Sequence, residues 1–246
     1  MLEANVVEGV HRIDDAYTNW YLLEEGGRVT VVDAGVPPSW NSFLKALGAI
    51  GRTPSDVEAV VLTHAHFDHI GFAERARSRL GVPVYVHEND VLLTRRPRQY
   101  GRERNPLVYM ATRPKAAPII AALVRARAFW PAPLAEVERF TGGTLPVPGS
   151  PRVVPTPGHT LGHVAFHLPD RDAILAGDAI VMLDPYTGER GPRLVARAAT
   201  ADTARNLATL DAIAATGAAT VLTGHGDVWR GGAEAAVAAA RRAGSA

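Results

Sequence analysis

The sequence predicts a layered α/β domain, and three observations carry that prediction. Short runs with strand character alternate with amphipathic helical runs, most of the strands fall in two groups near the two ends of the chain, and a proline-broken helical stretch lies between them. With 246 residues and 47% hydrophobic content, the chain can bury one large core, so a single domain over 1–246 is expected.

The elements follow in order. Val6 to Ile13, Tyr17 to Leu23 and Arg28 to Val32 read as strands, with Glu24-Glu25-Gly26-Gly27 as a hairpin turn between the last two. Ser39 after Pro37-Pro38 can start a helix from Trp40 to Ile50. The apolar strand Ala59 to Leu62 runs into a polar turn, then a helix with Phe72, Ala73, Ala76 and Leu80 at helical spacing, stopped by Gly81. Val82 to Val86 is the next strand. Between 91 and 139 lies a helical cap insertion broken by prolines, with Ile119, Ile120, Leu123, Val124 and Trp130 as one apolar stripe. Strand patterns resume at Arg152 to Thr156, Val164 to Leu168 and Ala173 to Ala176. A helix from Thr200 to Ala215, a strand from Ala219 to Leu222 and a helix from Ala233 to Arg242 complete the chain. Val61-Leu62-Thr63-His64 and Val221-Leu222-Thr223-Gly224-His225 echo one another, as a duplicated half-domain would.

Composition limits the chemistry. Lys+Arg at 26 against Asp+Glu at 25 leaves a formal net charge of +1, so no overall field favours nucleic acid. No cysteine is present, so any metal must be held by nitrogen and oxygen. The acidic first residues do not resemble an export signal, and no apolar run has membrane-spanning length, so a cytoplasmic location is expected.

The segment His64-Ala65-His66-Phe67-Asp68-His69 gathers three imidazoles and a carboxylate at a strand end. In extended backbone alternate side chains face one way, so His64 and His66 can share one ion while the following turn aims Asp68 and His69 at a second. This density is hard to explain by a structural role.

Thr63 to His69 resembles the Thr-His-x-His-x-Asp-His signature of the metallo-β-lactamase superfamily. Pro157-Gly158-His159-Thr160, Gly177-Asp178 and the His225 turn are similar to that family's later ligand motifs. The resemblance implies an αββα sandwich with two divalent ions held by His64, His66, Asp68, His69, His159, Asp178 and His225. Zinc is the expected ion, and iron or manganese also suits the donors. It further implies that Asp178 bridges the ions, that Asp68 orients a metal-bridging hydroxide, and that Asp33, in Val32-Asp33-Ala34-Gly35, supports a ligand together with Thr63.

Of the other histidines, His163 and His167 are expected in hydrogen-bonded structural positions. His87 and Tyr186 are candidates for substrate contact, Tyr186 because resembling lactonases carry a tyrosine shortly after the bridging Asp, where this chain has Val181. Only about twenty residues follow His225, too few for a glutathione-binding or flavodoxin domain. The resemblance points to hydrolysis of an ester, lactone or thioester. The alternatives are a phosphodiester hydrolase and a mononuclear iron enzyme resembling persulfide dioxygenases. The expected partner is a small molecule, with a homodimer also open. Between 94 and 127 many Arg and Lys residues face only Glu103, either as a solvated helix face or as a site for an anionic substrate group.

Overall fold

Side-chain alternation along the strands decides the layering. The computed structural model describes residues 1–246. Its first sheet takes β1 (Leu2–Val7), β2 (Val10–Asp15), β3 (Thr18–Glu25), β4 (Arg28–Val32), β5 (Val57–Val61), β6 (Val84–His87) and β7 (Glu138–Phe140), in that spatial order. Val29, Val31 and Val60 point to one face, where they pack on α1 (Ser39–Ala49) and α2 (Ala73–Leu80) with Trp20, Phe43 and Phe72. Val32, Ala59 and Val61 point to the other face, toward the second sheet.

The second sheet is built from β8 (Arg152–Pro155), β9 (Val164–Leu168) and β10 (Ala173–Gly177). A small hairpin, β11 (Val181–Leu183) with β12 (Arg190–Arg193), and α6 (Thr203–Ala214) intervene before β13 (Thr220–Thr223), which pairs in parallel with β10; α7 (Ala233–Ala243) ends the chain. Val164, Phe166, Leu168 and Leu175 meet the first sheet. Ala165, Ile174 and Val221 meet Leu210, Ile213, Val237 and Ala240 of α6 and α7. The order helix, sheet, sheet, helix is therefore the αββα sandwich expected from the sequence, and its apolar faces supply the hydrophobic stabilisation at about 25 cal/mol per Å² buried.

Four expectations are corrected. Val6 to Ile13 is not one strand: the chain turns at Gly9, at φ +64°, and makes the hairpin β1–β2. The insertion ends before 138, because Glu138–Phe140 joins the first sheet parallel to β6. Within the insertion, α3 (Val91–Arg95), α4 (Pro106–Thr112) and α5 (Ala117–Arg125) form, but the apolar stripe divides. Ile119 and Leu123 pack on Phe67 and Leu183, whereas Val124 and Trp130 are exposed. Finally, α6 begins later than Thr200, since Asp202 caps it by accepting from the Arg205 N–H at 2.9 Å. No single helix is long and apolar enough to cross a membrane.

Candidate metal centre

Strand direction gathers the site. Parallel pairs β4–β5 and β10–β13 deliver Asp33, the His64–His69 turn, Asp178 and His225 from their C-terminal ends, where ligands of α/β sheets commonly bind. His159 arrives from the turn between β8 and β9. Each of these residues is at most 7% exposed.

The donor atoms fall into two groups around one carboxylate. His64, His66 and His159 form one group, and Asp68, His69 and His225 the other, each with its donor atoms within 4.8 Å of one another. Asp178 lies between them: its Oδ2 is 3.4 Å from His159 Nε2, 3.3 Å from His225 Nε2 and 4.0 Å from His64 Nε2, and its Oδ1 is 3.7 Å from His69 Nε2. Asp68 Oδ2 is 3.5 Å from His225 Nε2. The structure thus brings together all seven expected ligands.

Hydrogen bonds from behind fix which ring nitrogen faces inward. His69 Nδ1 donates to Asp33 Oδ2 at 3.0 Å, and His225 Nδ1 donates to the Tyr17 carbonyl at 2.6 Å. Thr63 Oγ1 donates to Asp33 at 2.8 Å and therefore accepts from His64 Nδ1 at 3.0 Å. Thr200 Oγ1 donates to the Val195 carbonyl and stands 3.4 Å from His159 Nδ1. Each ring so held turns its Nε2 lone pair to the centre. Asp33 sits at φ +59°, a strained conformation for a non-glycine residue, and its carboxylate bonds to Thr63 and His69 hold it there.

The donor set fits divalent metal. His64, His66, His69 and His159 Nε2 and Asp178 Oδ1 are buried with no hydrogen-bond partner. Orphaned polar atoms normally cost about 1–3 kcal/mol each, and a cation between them would satisfy all of them at once. Glycine clears the space: a Cβ on Gly224 would overlap the Asp178 carboxylate and come within 2.8 Å of His69.

Burial and neighbouring charge pull the titrations apart. Burial drives His64 and His66 well below their ordinary value and His159 down to about 4. Burial also opposes charge on His69, but Asp178, Asp68 and Asp33 outweigh it and raise it to about 10. Burial would raise Asp178, yet His225, His69 and His159 hold it well below the carboxylate range.

His163, expected in a structural role, supports Asp178: its Nε2 accepts from the Asp178 N–H at 2.9 Å, and its Nδ1 faces Thr156 Oγ1 at 2.8 Å. Burial lowers it to about 3. His64, His66, His159 and His163, neutral in the fold but protonated near 6.5 when unfolded, give stability that is present above that pH and lost on acidification. His69 and His225, where burial opposes charge but Asp178 and Asp68 outweigh it, act the other way but are outnumbered. In chelator, Tm is therefore expected to fall by at least about 5 °C between pH 7 and pH 5, checked by calorimetry, where a flat profile would contradict the neutral assignment.

Tyr186, exposed by 8%, lines the cleft above Asp68, His159 and Asp178. His87 does not line it. Its ring meets Phe140 edge-on and its Nδ1 accepts from the Asn89 N–H, so the expected substrate contact is not made in this cleft. His167, also expected in a hydrogen-bonded position, lies half-buried on β9.

Sequence reasoning missed two residues. Asp90, fully buried, accepts from Ala65 N–H at 3.1 Å, Thr160 Oγ1 at 2.7 Å and Gly162 N–H at 2.8 Å, so it ties the His64–His66 segment to the His159 turn. Tyr100 packs its ring 4.5 Å from His66, and its hydroxyl is 3.3 Å from that of Tyr186. Neither lies in a motif; both take their roles from chain segments far away in sequence.

The profile of the Metallo-beta-lactamase superfamily matches residues 13–225. The chain belongs to the metallo-β-lactamase superfamily. Among its relatives, the probable metallo-hydrolase YflN of Bacillus subtilis (strain 168) is 26% identical over 72% of this chain and 66% of its own length. The uncharacterized protein Rv2581c of Mycobacterium tuberculosis (strain ATCC 25618 / H37Rv) is 33% identical over 66% of this chain and 67% of its own. The match thus spans about two thirds of these relatives. Among solved superfamily structures, TTHA1429 from Thermus thermophilus has a TM-score of 0.67 at 25% identity, covering 97% of this chain and 79% of that one. TTHA1623, solved in a di-iron-bound form, has a TM-score of 0.63 at 28% identity, covering 91% and 95%.

Proposed function

We propose that this superfamily member is a dinuclear metal-dependent hydrolase acting on an ester, lactone or thioester. The observation that carries this reading is the pair of buried donor groups sharing Asp178, with inward-facing nitrogens that no protein group satisfies. His64, His66 and His159 would hold one cation and Asp68, His69 and His225 the other, with Asp178 common to both. Zinc suits the donors, and the di-iron form of TTHA1623 makes iron the alternative. Two such cations supply a water acidic enough to attack at neutral pH and an electrophile for the substrate carbonyl.

The protein's own groups do the rest. Asp68 reaches the cleft, where its carboxylate accepts a hydrogen bond from the attacking water and aligns it. Water adds to the acyl carbon and gives up a proton, the bond to the alkoxide or thiolate breaks, and the departing group takes up that proton. Phe67, Leu123 and Val195 line the cleft with apolar surface that keeps bulk water from the acyl group. Burial holds the Tyr186 phenol well above its ordinary pKa, so it stays protonated and can donate to the developing oxyanion. Tyr186→Phe is expected to lower kcat by on the order of 10²-fold with little change in KM, measured on a thioester; an unchanged kcat removes Tyr186 from the mechanism.

Elemental analysis of purified protein, paired with assays on lactones, thioesters, phosphodiesters and persulfides, tests the whole reading. About two ions per chain with acyl hydrolysis is the expected result. One iron with oxygen uptake on a persulfide would replace it with the dioxygenase alternative.

A further inference from the structure

Two further cavities, lined mostly by residues of the insertion, adjoin the cleft in series through shared wall residues. The first, of about 220 Å³, shares Phe67 and Tyr186 with the cleft and is walled by Met110, Ile120 and Phe129, with Arg98 and Arg102 at its edge. The second, of about 320 Å³, shares Arg98 and Phe129 with the first and adds Arg95, Arg96 and Trp130. An aromatic wall runs the same way. The His66 ring is 4.5 Å from Tyr100, Tyr100 is 6.0 Å from Phe67, Phe67 is 4.6 Å from Phe129, and Phe129 is 5.9 Å from Trp130.

The far end of this tract carries uncompensated positive charge. Arg95, Arg96 and Arg98 are exposed, and none has a carboxylate within 4.0 Å. Glu103 faces away: it accepts from Thr203 N–H at 2.7 Å and from Thr203 Oγ1 at 3.0 Å, and it pairs with Arg197. Three guanidinium groups around one cavity match a group with more than one negative charge and several acceptor oxygens, which is a phosphate rather than a single carboxylate.

We infer that the tract binds an acyl ester or thioester with a phosphate at its far end, its apolar body against the Phe67–Phe129 wall and its phosphate among Arg95, Arg96 and Arg98. The chemistry at the acyl end rests on the hydrolase reading; recognition of the phosphate does not.

The test uses metal-loaded protein and three thioether analogues that share one apolar body and end in phosphate, carboxylate or hydroxyl, with binding measured by calorimetry. The phosphate-ended analogue is expected to bind at least about tenfold tighter than the other two. That preference should weaken about fivefold in Arg98→Ala, more in Arg95→Ala/Arg98→Ala, and with rising salt. Equal binding of the three termini, or a preference unchanged by both variants, overturns the inference. The matching thioesters, oxygen esters and lactones separate the two readings. Phosphate-selective binding without turnover of any of them supports the tract while removing the hydrolase reading, and turnover without phosphate preference does the reverse.

Discussion

Asp178→Ala is expected to abolish hydrolysis, with kcat/KM falling at least about 10⁴-fold, equivalent to about 5.5 kcal/mol of transition-state stabilisation. The metal content should drop from about two ions per chain to one or none. The reason lies in the position of the carboxylate, which approaches histidines of both donor groups, within 3.3 to 4.0 Å. Asp33 links His64 and His69 only from behind, through their Nδ1 sides, so losing Asp178 removes the carboxylate that lies between the inward-facing nitrogens of the two groups. The flanking turns keep their own supports in Asp33 and Asp90, so circular dichroism should report a retained fold. Turnover or metal content equal to the parent protein would remove Asp178 from the bridging position.

Asp90→Ala should act on stability instead. The substitution strands two backbone N–H groups and one hydroxyl in a fully buried place, which is expected to cost about 3–5 kcal/mol and to lower Tm by about 10 °C. Burial raises the Asp90 pKa although three hydrogen bonds oppose the shift, as befits a carboxylate placed to anchor loops. Because those loops carry His64, His66 and His159, the variant should also bind metal more weakly, and metal titration followed by calorimetry checks both effects. A Tm within about 2 °C of the parent would show that the two loops hold together without Asp90.

The candidate ligands were legible in the sequence because metal chemistry requires several rare residue types at short spacing and at strand ends. His64, His66, Asp68 and His69 lie in one such run, and His159, Asp178 and His225 each follow a strand or turn that the chain pattern already marked. The sandwich was legible for a related reason: β4, β5, β9 and β10 are buried on both faces, so each survives in the sequence as a short, nearly continuous apolar run. Edges were not. Most of β1 is exposed and shows no alternation, and β7 has only three residues, of which Phe140 alone is buried, too short a run to mark a strand. Asp90 and Tyr100 escaped because their partners lie up to 86 residues away, a distance at which local pattern carries no information. For His87, a position at a strand end does not reveal that its ring packs on Phe140 and accepts from the Asn89 N–H.

The donors come from turns clamped between two sheets, whereas much of what a visiting molecule would meet comes from helices threaded between β6 and β7. On the proposed reading, reaction and recognition are therefore written largely in separate stretches of the chain. Variation in the stretch from α3 to α5 that keeps Tyr100, Ile119 and Leu123, which pack on His66 and Phe67, should change which molecules bind more than how they react, and this gives the scaffold a natural point of diversification.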